Sequence, residues 1–259
     1  MKKYTGYLID LDGTIYCGNE VIDGAIPFIN YLNQSETPYV FVTNNSSKTE
    51  EEVVNHLKGM GIETTKNHIL TSSIAAAKYI KRQFTHPRCF VIGEHGLKRA
   101  LQEEAIERVN EEANVVVVGL DREITYEKLT EASLMIRAGA AFISTNKDAA
   151  IPTPRGFEVG NGAMTAAIQT STNVQPTFIG KPEKIIMEEA VHMLGIDRSQ
   201  LLMIGDNYET DIQAGIQSNI DTLMVYTGVT GEDEYDSLRV KPTYALRNLH
   251  EFLHAVKEK

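Results

Sequence analysis

Short apolar runs recur along the chain, and each ends in small or polar residues. Tyr7-Leu8-Ile9, Tyr39-Val40-Phe41-Val42, Val115 to Val118 and Leu201 to Ile204 are uninterrupted, with no polar residue at alternate positions. Such runs suit strands covered on both faces, as in parallel sheets. Weaker runs at 69–70, 89–92, 141–144, 177–179, 222–226 and 243–245 extend the series. Between them, helical spacing predicts helices near 26–33, 49–61, 72–83, 96–104, 126–138, 183–194, 211–217 and in the terminal segment. Thr49 with Glu52 has capping-box spacing, and Gly61 is a natural stop. Residues 14–22 predict a short hairpin turning at Gly18-Asn19.

Strands alternating with helices predict an α/β fold, a Rossmann-like doubly wound parallel sheet. The middle third repeats the pattern by itself. Its strands at 89–92, 115–118 and 141–144, with the helices between them, suffice for a smaller separate α/β layer.

The formal net charge of -10 over 259 residues excludes sequence-independent binding to nucleic acid, which needs a positive face. An anionic substrate would have to be held by local cations, not drawn in by the long-range field. Cys17 and Cys89 lack metal-ligand spacing, so a reducing cytoplasmic location is expected. The opening segment has neither the apolar stretch nor the small-residue cleavage site of a signal peptide. No apolar stretch approaches the ~20 residues that span a bilayer.

Asp10-Leu11-Asp12-Gly13-Thr14 follows directly on the first apolar run. Side chains alternate along a strand, so Asp10 and Asp12 point the same way while Leu11 turns to the core. Two carboxylates so placed repel unless a cation or a shared proton relieves them. A metal site, an acid–base pair or both would do so; a hairpin turn at Asp12-Gly13 would explain the same residues without function.

Open parallel sheets bind ligands beyond the carboxyl ends of their strands. The residues that follow the apolar runs are Asp10 and Asp12, then Thr43-Asn44-Asn45-Ser46-Ser47, then Gly180-Lys181-Pro182, then Gly205-Asp206-Asn207. Carboxylate, hydroxyl, lysine and carboxylate form a coherent set for a phosphoryl group and a hard cation. Pro182 suits the first turn of a helix and keeps Lys181 extended beside its N-terminus, where anions are favoured. Singly, each residue has an ordinary account as loop, turn or cap; together the functional reading prevails.

These motifs in this order, with Asp211 five residues after Asp206, resemble the haloacid dehalogenase superfamily of phosphohydrolases. More narrowly, Thr43-Asn44-Asn45-Ser46, the middle α/β block, Ile143-Ser144-Thr145-Asn146 and Gly180-Lys181-Pro182 resemble the NagD-like phosphatases. The resemblance implies a discontinuous catalytic core at 1–76 and 177–259, with a cap domain inserted at 77–176. It implies a phosphomonoester hydrolase in which Asp10 attacks phosphorus and Asp12 is the acid and then the base. Mg²⁺ would be held by Asp10, the backbone carbonyl of Asp12 and Asp206. Thr43, Asn44, Asn45 and Lys181 would bind the phosphoryl oxygens, Asp211 would orient Lys181 or a metal-bound water, and Asn146, Lys147 and Asp148 would contact the leaving group. Asn161 is a further cap candidate.

The implied partner is a small phosphorylated metabolite, a sugar phosphate or a nucleoside monophosphate, with no nucleic-acid polymer and no membrane; a homodimer is left open. Lys147, Gly160-Asn161-Gly162-Ala163 and Asn207-Tyr208 depart from the subgroup's usual residues, which leaves the substrate open. A dehalogenase of the same superfamily would need neither Asp12 nor Asp206. A catalytically idle phosphosugar-binding module would bind esters without consuming them. His250-Glu251-Phe252-Leu253-His254 matches the zinc-peptidase pattern H-E-x-x-H. Its apolar stripe, however, predicts that both histidines lie on a solvated helix face, with no evident third ligand.

Overall fold

The structure is a computed structural model that describes residues 1–153 and 155–257. These form two compact units, one of Met1–Thr43, Glu51–Leu70 and Lys181–Lys259, the other of Asn44–Glu50 and Thr71–Gly180. The second is wider than the middle block expected from the sequence, because it takes in 44–50, 71–76 and 177–180.

The first unit is built on a six-stranded sheet, in the order Tyr244–Leu246, Asp221–Val225, Leu201–Gly205, Gly6–Ile9, Tyr39–Thr43, Ile69–Thr71. Gly6–Ile9 runs parallel to both neighbours, with Ile9 beside Ile204 on one side and Phe41 on the other. Tyr7, Ile9, Phe41, Leu202, Ile204, Leu223 and Val225 line one sheet face. Helices Ala25–Gln34, Glu50–Gly59 and Leu249–Lys257 cover it. In the first of these, Ala25, Phe28, Ile29 and Leu32 fall on one helical stripe and are fully buried. Phe28 meets Tyr7 and Phe252 edge-on at 5.7 and 5.4 Å. On the other face Met224 packs against Tyr208 and Ile212, and helix Lys184–Leu194 lies against strand Tyr39–Thr43. The sheet is therefore doubly wound, as its continuous apolar runs require.

The second unit has a parallel five-stranded sheet in the order Thr177–Phe178, Ala141–Ser144, Val115–Val118, Arg88–Ile92, Glu107–Arg108. Ile92, Val116, Val118 and Phe142 pack against Ala132 and Ile136 of helix Tyr126–Arg137 and Ile168 of helix Asn161–Thr172. Helix Ser72–Gln83 begins at Thr71, whose hydroxyl accepts the Ile74 N–H at 3.2 Å, a cap that contributes about 1 kcal/mol.

Two departures from the sequence reading have physical causes. The run at 177–179 is a two-residue strand paired with Ala141–Ser144 in the second unit, not a strand of the main sheet. Thr177 is exposed and Phe178 only partly buried, so this strand never had the buried character of the others. Helix Asn161–Thr172 and the hairpin Ala150–Thr153/Gly156–Val159 were not expected at all. The helix is rich in Thr and Ala and has only a faint apolar stripe; the hairpin carries Phe157 largely exposed. Among the described residues no helix is long and apolar enough to cross a membrane.

Candidate active site

Gly6–Ile9 is the switch point of the main sheet, because the chain goes from it to Tyr39–Thr43 on one side and later returns to Leu201–Gly205 on the other. A crevice at the carboxyl ends is expected there. Asp10 follows the first strand, Thr43 ends the second, and Asp206 follows the third. The Asp10 N–H continues the ladder by donating to the Ile204 carbonyl at 2.9 Å.

Asp10, Thr43, Lys181, Asp206 and Asp211 are all buried, an arrangement that only mutual pairing or a bound cation makes tolerable. Lys181 supplies part of the pairing. Its ammonium donates to Asp10 Oδ1 and stands 2.7 Å from Asp211 Oδ1. Burial alone would push its pKa down, but the Asp10 and Asp211 carboxylates outweigh that and hold it above the ordinary lysine value. Lys181 is thus a fixed cation inside an acidic chain, the local positive charge that the net charge of -10 demands.

The acids carry the opposite strain. Burial first, then the neighbouring Asp211 and Asp206, push Asp10 well above the usual carboxylate range, while Lys181 draws it back. Burial and Asp211 push Asp206 up to about 6, opposed by the Val229 N–H and by Lys181. Oxygens of Asp10, Asp206 and Asp211 lie within 4.8 Å of one another. An all-oxygen, buried set of three crowded carboxyl groups fits a hard divalent cation. Asp12 projects to the surface, and the hydroxyl of Tyr16 hydrogen-bonds to it.

The shell around Asp206 was not expected from the sequence. Thr14 Oγ1 donates to Asp206 Oδ1 at 3.2 Å, and the Val229 N–H donates to Oδ2 at 2.7 Å. Thr227 Oγ1 donates to the Gly13 carbonyl at 2.6 Å, tying the loop after strand Asp221–Val225 to the one after Gly6–Ile9. Thr227 to Thr230 follow an apolar run, so the strand-end rule applied there would have found them. Gly13 has φ +86°, and a Cβ on it would lie 2.3 Å from Asp206 Oδ2. Only glycine lets the backbone come this close to the acid. Asp211 sits in a π-helical turn, Tyr208–Ile212, where its Oδ2 accepts the Asn207 N–H at 3.1 Å. Such turns recur at functional sites.

Asn44 and Asn45, expected in the core at 1–76, fall in the second unit, where Asn44 donates from Nδ2 to Asp148 at 3.1 and 3.3 Å. The Asn45 Oδ1 accepts from the N–H groups of Ser47 and Lys48 at 3.0 and 2.9 Å, so this side chain shapes its own loop. Asn146 and Asn161 are buried, Lys147 is exposed and Asp148 is partly buried. Asn161 Nδ2 donates to Ser144 Oγ and the Asn146 carbonyl at 2.9 and 2.7 Å, which makes it part of the framework. His250 and His254 lie exposed on their helix, and Glu251 is bound to Arg247. The three-acid cluster includes neither histidine.

Comparison with known proteins shows the family. Family models described as haloacid dehalogenase-like hydrolase and HAD-like hydrolase match residues 7–107 and 178–252. 5'-Nucleotidase YutF of Bacillus subtilis is 50% identical over 253 residues, covering 98% of this chain and 99% of that one. Acid sugar phosphatase of Staphylococcus saprophyticus is 48% identical over the whole of both chains. A mutant of the thermostable p-nitrophenylphosphatase of Bacillus stearothermophilus superposes with a TM-score of 0.88 at 51% identity, covering 96% of this chain and 98% of that one. With its acids and lysine at the strand ends that the sequence motifs mark, the chain belongs to the haloacid dehalogenase-like hydrolases.

Proposed function

We propose that this protein is a Mg²⁺-dependent phosphomonoester hydrolase that works through an aspartyl-phosphate on Asp10. The observation that carries the reading is the buried Lys181 between Asp10 and Asp211, with Asp206 beside them. A fixed ammonium next to a buried carboxylate supports nucleophilic attack on a phosphoryl group whose oxygens carry the charge.

In the first step an Asp10 oxygen forms a bond to phosphorus while the bond to the leaving oxygen breaks, and Asp12 delivers a proton to that oxygen. In the second step water attacks phosphorus, Asp12 takes its proton, and the bond to Asp10 breaks, releasing phosphate. Thr43, Lys181 and the backbone N–H groups of Asn44 and Asn45 bind the phosphoryl oxygens. Asp10, the Asp12 carbonyl and Asp206 would hold the Mg²⁺, which supplies positive charge that neutralises phosphoryl oxygens and relieves the crowded acids. Asp211 keeps Lys181 in place. Thr14 and the Val229 N–H keep Asp206 in place.

The second unit is the counterpart of the cap, and we assign leaving-group choice to its exposed Lys147. The names of the relatives, a 5'-nucleotidase and an acid sugar phosphatase, support a nucleoside monophosphate or a sugar phosphate as the substrate class. The test is phosphate release from sugar phosphates, nucleotides and p-nitrophenyl phosphate, with Mg²⁺ or with EDTA. Release that needs Mg²⁺ and disappears in a folded Asp10→Asn variant is expected. Full activity in Asp10→Asn would overturn the reading, and binding without turnover would favour the idle module.

A further inference from the structure

The segment after Thr43 is held by side chains that grip its carbonyl oxygens. The Asn44 carbonyl accepts from Asn146 Nδ2 and from Ser72 Oγ, each at 2.8 Å. Ser72 Oγ also lies 3.0 Å from the Asn45 carbonyl, and Ser73 Oγ donates to the Ser46 carbonyl at 2.9 Å. Three consecutive carbonyls are thus drawn toward hydroxyl and amide groups on Ser72, Ser73 and Asn146, all of them buried.

A peptide unit is planar and trans, so its C=O and the following N–H point in opposite directions. Fixing the Asn44 and Asn45 carbonyls therefore fixes the directions of the Asn45 and Ser46 N–H groups. Asn146 is itself locked. Its Oδ1 accepts the Asp148 N–H at 3.1 Å, and its carbonyl accepts from Asn161 Nδ2 at 2.7 Å and Ser144 Oγ at 2.9 Å. At 5% exposure, with donor and acceptor both engaged, its carboxamide is spent on the framework. Gly180 closes the same corner, since a Cβ there would lie 2.5 Å from Asn44 Oδ1 and 2.7 Å from the Thr145 carbonyl.

We propose that Asn146 and Ser72 are positioning residues that set the peptide planes after Thr43, and that Asn146 does not select the leaving group. The inference rests on the phosphatase reading only in giving the Asn45 N–H a phosphoryl partner. It reassigns Asn146, which the sequence placed with Lys147 and Asp148 as a contact to the leaving group. A donor aimed at the transferred phosphoryl group serves every ester alike, whereas a contact to the leaving group serves one ester more than another.

The test compares Asn146→Asp, Ser72→Ala and Lys147→Ala with the parent protein on p-nitrophenyl phosphate, a nucleoside 5'-monophosphate and a hexose phosphate. Asn146→Asp keeps the shape but sets a carboxylate oxygen against the Asn44 carbonyl. Asn146→Asp and Ser72→Ala are each expected to lower kcat/KM about 10- to 100-fold. The loss should agree within about threefold across the three esters. Lys147→Ala should instead change their ranking. Amide resonances of Asn45 and Ser46 in the ligand-free protein should shift in both clamp variants, with the fold verified by the remaining spectrum. A loss confined to one ester, or unmoved Asn45 and Ser46 resonances, overturns the proposal. If the parent protein hydrolyses none of the esters, the phosphatase reading falls, and the resonances still decide whether the clamp exists. Should Asn146→Asp fail to fold, Ser72→Ala removes the other donor and carries the same two readouts.

Discussion

Lys181 and Asp211 form a buried ion pair, Nζ standing 2.7 Å from Oδ1 with each side chain 2% exposed. Because Asp10 shares the same ammonium, the lysine serves two acids, and its removal leaves both facing each other without a counter-charge. Lys181→Met is therefore expected to lose activity and about 3–5 kcal/mol of stability in urea denaturation at pH 7. Asp211→Asn should cost less stability, because Asp10 still holds the lysine, yet should lower kcat at least about tenfold by letting the ammonium shift. Equal stability losses in the two variants would argue against this sharing.

Divalent cation should stabilise the fold directly. The three acids crowd within 4.8 Å, so an ion bound there relieves their repulsion in the native state alone. At a hundredfold excess over its Kd, Mg²⁺ should add about 2.7 kcal/mol, read as a rise in Tm in EDTA-treated protein titrated with the metal. Asp206→Asn should abolish the rise. A Tm that ignores Mg²⁺ in the parent protein would place the ion elsewhere or deny it.

Gly13→Ala is expected to damage the site through geometry. The residue has φ +86°, and its new Cβ would press on Asp206 Oδ2. Strain of this kind costs roughly 1–3 kcal/mol. Activity should fall more than stability does, because the displaced group is a proposed metal ligand; comparing turnover with the denaturation midpoint separates the two effects.

His68 gives the fold a pH dependence away from the site. Its ring lies 4.2 Å from that of Tyr39, and Nδ1 is 3.2 Å from Thr64 Oγ1. Burial lowers its pKa from 6.5, so the folded protein resists the proton that the unfolded chain takes up. The histidine's contribution is intact above pH 6.5 and is lost as pH falls below that value toward the lowered one. Relative to His68→Phe, the parent should therefore lose stability between neutral pH and pH 5. Parallel stability curves for the two proteins would contradict this.

The motif His250-Glu251-x-x-His254 should prove silent in catalysis. Both histidines are exposed, and Glu251 is engaged by Arg247. His254→Ala should leave phosphate release unchanged, and a zinc chelator that spares Mg²⁺ should not inhibit. Inhibition by such a chelator would reopen the metal question at this helix.

Much of the main sheet was legible because the runs at 6–9, 39–42 and 201–205 are buried throughout and carry no polar residues to blur the pattern. Asp10, Thr43 and Asp206 were legible by the same token, as the first polar residues to leave those strands. Lys181 was singled out as the residue ending a strand of the main sheet, but the strand before it, Thr177–Phe178, belongs to the other sheet. A two-residue strand has too little sequence to declare its partner. Helix Asn161–Thr172 was missed because small and hydroxylated residues blur its apolar stripe, even though Met164, Thr165 and Ile168 are buried on it. The work of Asn146 was hidden for a different reason: a carboxamide that holds a carbonyl a hundred and two residues away leaves no trace in local spacing.

The assignment of Asn44–Glu50 to the second unit bears on how such enzymes could be recombined. Chimaeras cut only at the ends of the middle block would pair one parent's Asn44 carbonyl with another parent's Asn146 and its supporting Asn161. Ser72 would stay with the recipient while Asn146 came from the donor. A transplant that keeps its peptide planes has to carry 44–50 and 71–180 together, two stretches separated in the gene and inherited as one piece of packing.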